Sequence, residues 1–233
     1  MKALYEKPIS SERFQLYIGM LQGNTKGDLS LPIGGYNPMA KEHVLEKLIA
    51  LEELGAEGVM QDVINEYNST LDNNEGYSIL VVLNLADDLK GGWTNRYTTD
   101  FDSKFKINAL VERNFCTPFL WTSEAYTEEL IRTRTKAYIA RTLYWKQHAK
   151  PRNMEGYLQQ EVFVSSQLGN KKVKEPKTSF AAIEAFYQEY KSEDNFNIIF
   201  NFFYGDVASR DLEYPCFGVV EKTGFDYAEY LGK

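Results

Sequence analysis

Tyr77-Ser-Ile-Leu-Val-Val-Leu-Asn-Leu-Ala86 runs directly into Asp87-Asp88-Leu-Lys-Gly-Gly-Trp-Thr-Asn-Arg-Tyr-Thr-Thr-Asp-Phe-Asp102. The first ten residues are apolar on both faces of an extended chain, the pattern of a central strand covered on each side. Past Ala86 the chain reads as a long irregular connection that carries two carboxylates, two adjacent glycines, an indole and an Asn-Arg pair. Open α/β sheets keep their ligands at such strand ends, where a rigid strand aims side chains and the loop leaves the edge open.

Working outward, apolar spacing and caps predict helices over about 10–21, 57–67, 127–147, 154–168 and 178–191. Asn37-Pro38 predicts another helix start, with Val44, Leu45, Leu48 and Leu51 on its apolar face and Gly55 at its end. Asp102 or Ser103 is the expected cap of a helix through about Val111. Further strands are expected over Phe115–Trp121, where Pro118 disfavours a central position, over Asn197–Tyr204, and over Cys216–Glu221. The resulting expectation is an α/β or α+β fold: a single globular domain over 1–233, helix-rich over 123–192, around a small, partly parallel sheet of about four strands. No repeat period is present.

The 233 residues carry a net charge of −7, and 14% of them are aromatic. An acidic chain opposes bulk attraction to nucleic acid or to anionic membranes. Its apolar runs fall far short of a bilayer span, so no membrane association is expected. Two cysteines and two histidines provide neither a disulfide framework nor a zinc-finger pattern, and a reducing cytoplasm is the expected location. The segment 127–152 departs from the average: its seven Lys/Arg against two Glu make it about +5 and leave about −12 elsewhere. Internal pairing of Arg134 and Arg141 with acidic helices, in preference to RNA binding, is the expected use of that charge.

Asp87 and Asp88 are the candidate catalytic carboxylates. Were the strands ending near Leu85, Trp121 and Tyr204 parallel, Asp87, Asp88, Trp93, Thr94, Asn95, Arg96, Ser123, Glu124 and Asp206 would meet, and Asp88, Glu124 and Asp206 could hold a divalent cation such as Mg²⁺. Gly91, Gly92, Trp93, Thr94, Asn95 and Arg96 suit a small polar or anionic ligand: glycine amides approach it, Arg96 grips a carboxylate or phosphate, and Trp93 stacks. Turn-forming and capping roles account for the same residues without a ligand. Gly34-Gly35 with Lys41 forms a second, weaker anion-type pattern at the expected helix start. Cys116 and Cys216 are expected as structural thiols, and His43 as a residue of a helix's polar face. The functional expectation is a binder of a small polar or anionic molecule at the loop after the first strand, using carboxylate- or metal-assisted chemistry if it is an enzyme. The alternative is a non-catalytic protein-interaction module whose acidic, aromatic-rich surface meets a basic partner.

Overall fold

A computed structural model of the chain describes residues 1–25, 27–70, 78–89, 94–169 and 179–233. Gly91, Gly92 and Trp93, and the expected loop over Asn170–Pro176, lie outside the described residues. The chain divides into two compact units, Met1–Ile139 and Ala140–Lys233. In the first, the elements are α1 (Lys2–Tyr5), α2 (Ser11–Leu21), α3 (Glu42–Glu53), α4 (Ala56–Thr70), β1 (Leu80–Val81), β2 (Asn84–Ala86), α5 (Arg96–Phe105), α6 (Asn108–Glu112), β3 (Phe115–Cys116) and β4 (Phe119–Trp121). Helix α7 (Glu128–Gln147) contributes to both units. The second continues with α8 (Met154–Gln167), α9 (Phe180–Tyr190), α10 (Phe196–Asp211) and α11 (Thr223–Leu231). Among the described residues no helix is long and apolar enough to cross a membrane.

The fold is helix-rich with a small parallel strand component, and the strands do not form one four-stranded sheet. β1 pairs with β3, and β2 with β4, both parallel and in one shared register: Leu80 faces Phe115, and Asn84 faces Phe119. The interruption has a covalent cause. Pro118 has no N–H to offer the carbonyl of Val82, so the ladder breaks at that step. Buried Asn84 serves the gap: its Nδ2 reaches Val82 O at 3.5 Å and Pro32 O at 2.8 Å, while its Oδ1 accepts from Gly35 N at 2.9 Å. A Cβ on Gly35 would lie 2.8 Å from the Phe119 ring, so this approach requires glycine.

Two expected strands are absent. Asn197–Tyr204 lies within α10, where every residue from Ile198 to Gly205 is buried. Burial on all sides removes the polar face that would have displayed a helical period, and an apolar run of that length cannot be told from a strand by periodicity. The local signal is Asn195, whose side chain accepts from Asn197 N. Cys216–Glu221 is irregular because the amides of Phe217, Gly218 and Val219 converge on Asp206 Oδ1 at 3.1–3.3 Å instead of joining a ladder. Gly205, at φ 78°, kinks α10 against this segment, and a Cβ there would stand 2.6 Å from Glu221 N.

Two helix starts also move. Asn37 does not cap a helix. Its Oδ1 accepts from Met39 N in a local turn, its carbonyl accepts from the Tyr5 hydroxyl, and α3 begins at Glu42. α5 begins at Arg96, capped by Asn95, well before the expected Asp102 or Ser103. Elsewhere the expected caps hold: the Ser10 side chain accepts from Arg13 N, and Gly55 takes φ 68° between α3 and α4.

Candidate functional site

The parallel pairing brings the residues after β2 beside those after β4. Thr122 N donates to Ala86 O, one further rung of the ladder, and this sets Asp87-Asp88 next to Thr122-Ser123-Glu124. The Thr122 hydroxyl lies 2.9 Å from Asp87 Oδ1 and 3.1 Å from Asp88 Oδ1, and its single proton is shared between them. Asp88 is further bound by Ser123, through its hydroxyl (2.6 Å) and its amide (2.9 Å), and by Arg96 at 2.5 Å. Burial works against the charged form of Asp88. The Ser123 and Arg96 hydrogen bonds outweigh it and hold the carboxyl below its ordinary range.

Arg96 is the bridge of the cluster. As the first residue of α5 it donates to Asp88, to the Ser123 hydroxyl (3.0 Å) and to Glu124 Oε1 (3.2 Å), and its guanidinium lies 4.3 Å from the centre of the buried Trp121 ring. Those three bonds leave two of its five N–H donors unused among the described residues, and the side chain is 39% exposed. Glu124 in turn accepts two bonds from Arg134 on α7, at 2.6 and 3.0 Å. The Lys47 ammonium caps the Glu124 carbonyl at 2.8 Å. The result is an alternating line, Asp88–Arg96–Glu124–Arg134, across the strand ends.

On the other side of Thr122, Asp87 is 1% exposed and its Oδ2 stands 2.9 Å from Nε2 of His43, in the first turn of α3, whose side chain is 17% exposed. Asp87 Oδ1 meets donors, the Thr122 hydroxyl and Leu89 N (3.3 Å). A carboxylate in that setting accepts at both oxygens, so Nε2 is the ring nitrogen that donates to Asp87. Nδ1 has no partner among the described residues.

Six of the expected site residues therefore stand together: Asp87, Asp88, Thr94, Arg96, Ser123 and Glu124, with the Thr94 hydroxyl donating to Asp87 O. Asn95 is occupied as the cap of α5, accepting from Tyr97 N and Thr98 N. Asp206 belongs to the second unit, where its Oδ1 holds the 217–219 turn. Asp88 and Glu124 are joined through a guanidinium, and among the described residues no group of three metal-type ligands stands together. At the second glycine pair, the Gly35 amide is taken by Asn84, and Lys41 precedes α3 without a side-chain cap.

His43, Thr122 and Arg134 complete the site and were not among its expected members. His43 and Asp87 are distant in sequence, and no spacing rule connects them. Arg134 does pair internally as expected, but with a glutamate in a turn. Helix partners hold its neighbours instead: Arg132 and Lys136 both reach Glu66 of α4 at 2.6 Å. No family model, no curated protein and no solved structure matches this chain.

Proposed function

We propose that the first unit receives a small polar or anionic molecule at the C-terminal end of its parallel strand pairs, and that His43, oriented by Asp87, exchanges a proton with it. The observation that carries this reading is the pair itself: a buried carboxylate holding one nitrogen of a partly buried imidazole and leaving the other without a partner among the described residues. A buried acid that orients a histidine selects its tautomer and stabilises the imidazolium formed when Nδ1 takes a proton. Arg96 supports an anionic ligand through its two unused donors, while the bonds to Asp88 and Glu124 hold its plane in place and lower the ordering cost of binding.

The test is a thermal-shift and calorimetric screen of small carboxylates and phosphates against the native chain, His43→Gln and Asp87→Asn. The expected outcome is a ligand whose affinity falls at least about tenfold in both variants, with native melting retained by His43→Gln. Turnover of that ligand, if present, should be lost in His43→Gln. A ligand bound equally by all three proteins would remove the pair from the site.

A further inference from the structure

Beyond the strand ends, the first unit carries a second feature independent of the His43–Asp87 pair. A half-open groove of about 620 Å³ lies between the 31–36 segment, the α3–α4 hairpin and the outer edge of the strand at Val81–Leu83. Its walls are mostly apolar, with Ile33, Met60 and Ile64 among them. We infer that this groove docks an extended peptide segment of alternating apolar and basic residues, added as a new strand along the outer edge of β1.

Backbone alternation supplies the first reason. Leu80 N and Val82 N donate to Asn114 O and Cys116 O, both at 2.9 Å, on the β3 side. The intervening residues point the other way, so Val81 N–H, Val81 C=O and Leu83 N–H face away from β3. Leu83 O is closed off by the Tyr36 hydroxyl at 3.3 Å, and the other three groups have no partner among the described residues. An open strand edge beside an apolar trough is the arrangement that strand addition uses, with main-chain bonds for affinity and alternate side chains for selection. A purely apolar small molecule filling the groove would instead bury those three polar groups unpaired, at a cost of roughly 1–3 kcal/mol each.

Charge selects the sequence of the occupant. Glu52 and Glu57 line the groove; Lys2 holds Glu52 at 2.5 Å, whereas Glu57 has no cationic partner among the described residues. A segment bearing lysine or arginine at alternate positions places cations at this rim and its apolar side chains in the trough.

The probe is a fluorescein-labelled hexapeptide, Lys-Val-Lys-Val-Lys-Val, followed by anisotropy against the full chain. Two isomers are compared with it, one N-methylated at every valine and one at every lysine. Because alternate amides of a strand point to opposite edges, one isomer should lose at least tenfold in affinity and the other should bind within about threefold of the parent. A glutamate-valine peptide should bind at least tenfold more weakly. Gly58 lines the groove on α4, and a Cβ there meets nothing within 4 Å. Gly58→Leu should therefore occlude the groove and abolish binding while keeping or raising the melting temperature, since leucine favours helix over glycine. Absence of binding at roughly 1 mM peptide, equal binding by both N-methylated isomers, or undiminished binding by Gly58→Leu would each overturn the inference.

Discussion

Arg134 and Arg141 stand on one helix, α7, and each is gripped by a glutamate through two short hydrogen bonds, yet the surroundings of the two pairs differ. In the first unit, Glu124 divides its carboxylate between Arg134 and the 39%-exposed Arg96, within a line of charges that ends at solvent. In the second, Arg141 meets Glu161 at 2.5 and 2.7 Å with the two side chains only 6% and 4% exposed. Gln160 donates to the same glutamate at 2.8 Å and accepts from the Trp145 indole at 2.6 Å. Two charges taken out of water need each other, because neither is replaced by solvent if the other is lost. The strand-end network keeps water access and spare donors, which is what a binding site requires and a core does not. The same side-chain chemistry thus acts structurally where it is sealed and remains available for a ligand where it is open.

The largest expected effect tests the sealed pair. Glu161→Ala removes one charge of a buried, doubly hydrogen-bonded pair and should cost about 3–5 kcal/mol in urea unfolding. Replacing both partners by methionine should recover most of that loss, because an apolar pair of similar volume removes the desolvation problem. A loss below about 1 kcal/mol for Glu161→Ala would mean that water reaches the pair, and the contrast between the units would fail.

A smaller effect is expected at the open network. Arg96→Ala removes three charge-assisted bonds and uncovers Trp121, but solvent screens and replaces part of the interaction, so about 1–2 kcal/mol is expected. Raising the salt to about 1 M should shrink this difference and leave the Glu161→Ala difference nearly unchanged. Equal salt sensitivity in the two variants would erase the distinction between open and sealed.

The smallest effect is in acid. Asp88 titrates lower in the folded chain than its unfolded value of about 3.9, so the unfolded state binds more protons between those two values. Its contribution to stability is present above about pH 4 and is lost as the pH falls through the folded value. Asp88→Asn should flatten that part of the stability curve measured between about pH 5 and 2. An unchanged slope would show that Ser123 and Arg96 do not favour the carboxylate over the acid.

Capping and amphipathic spacing were legible for part of the helices, whereas the equally local caps of α5 at Asn95 and α10 at Asn195 went unread. The expected Ser10 cap accepts from Arg13 N, and α7 and α8 begin and end within a residue or so of where apolar spacing places them. Asn37 carried the same kind of signal and misled, because its side chain closes a turn on Met39 and its carbonyl is taken by Tyr5, which lies far away in sequence. At the site, the strand-end position of Asp87 and Asp88 was visible in the sequence. Of their partners, Arg96 and Ser123 fall in the expected cluster, whereas His43 and Thr122 do not.

By itself the sequence determined elements whose cause is local: helices such as α2, α7 and α8, the strand end that empties into two aspartates, and the disturbance that Pro118 brings to its strand. Tertiary structure decided that the buried run in α10 is helical, because covering every side erases the period that would distinguish helix from strand and leaves only the Asn195 cap as a local sign. It also decided that Asp206 holds a turn in the second unit, that Glu124 belongs to Arg96 and Arg134, and that His43 meets Asp87. Local propensity acts over a few bonds, whereas a hydrogen bond or ion pair depends on separation in space, and only the folded backbone specifies which distant residues come within about 3 Å of one another.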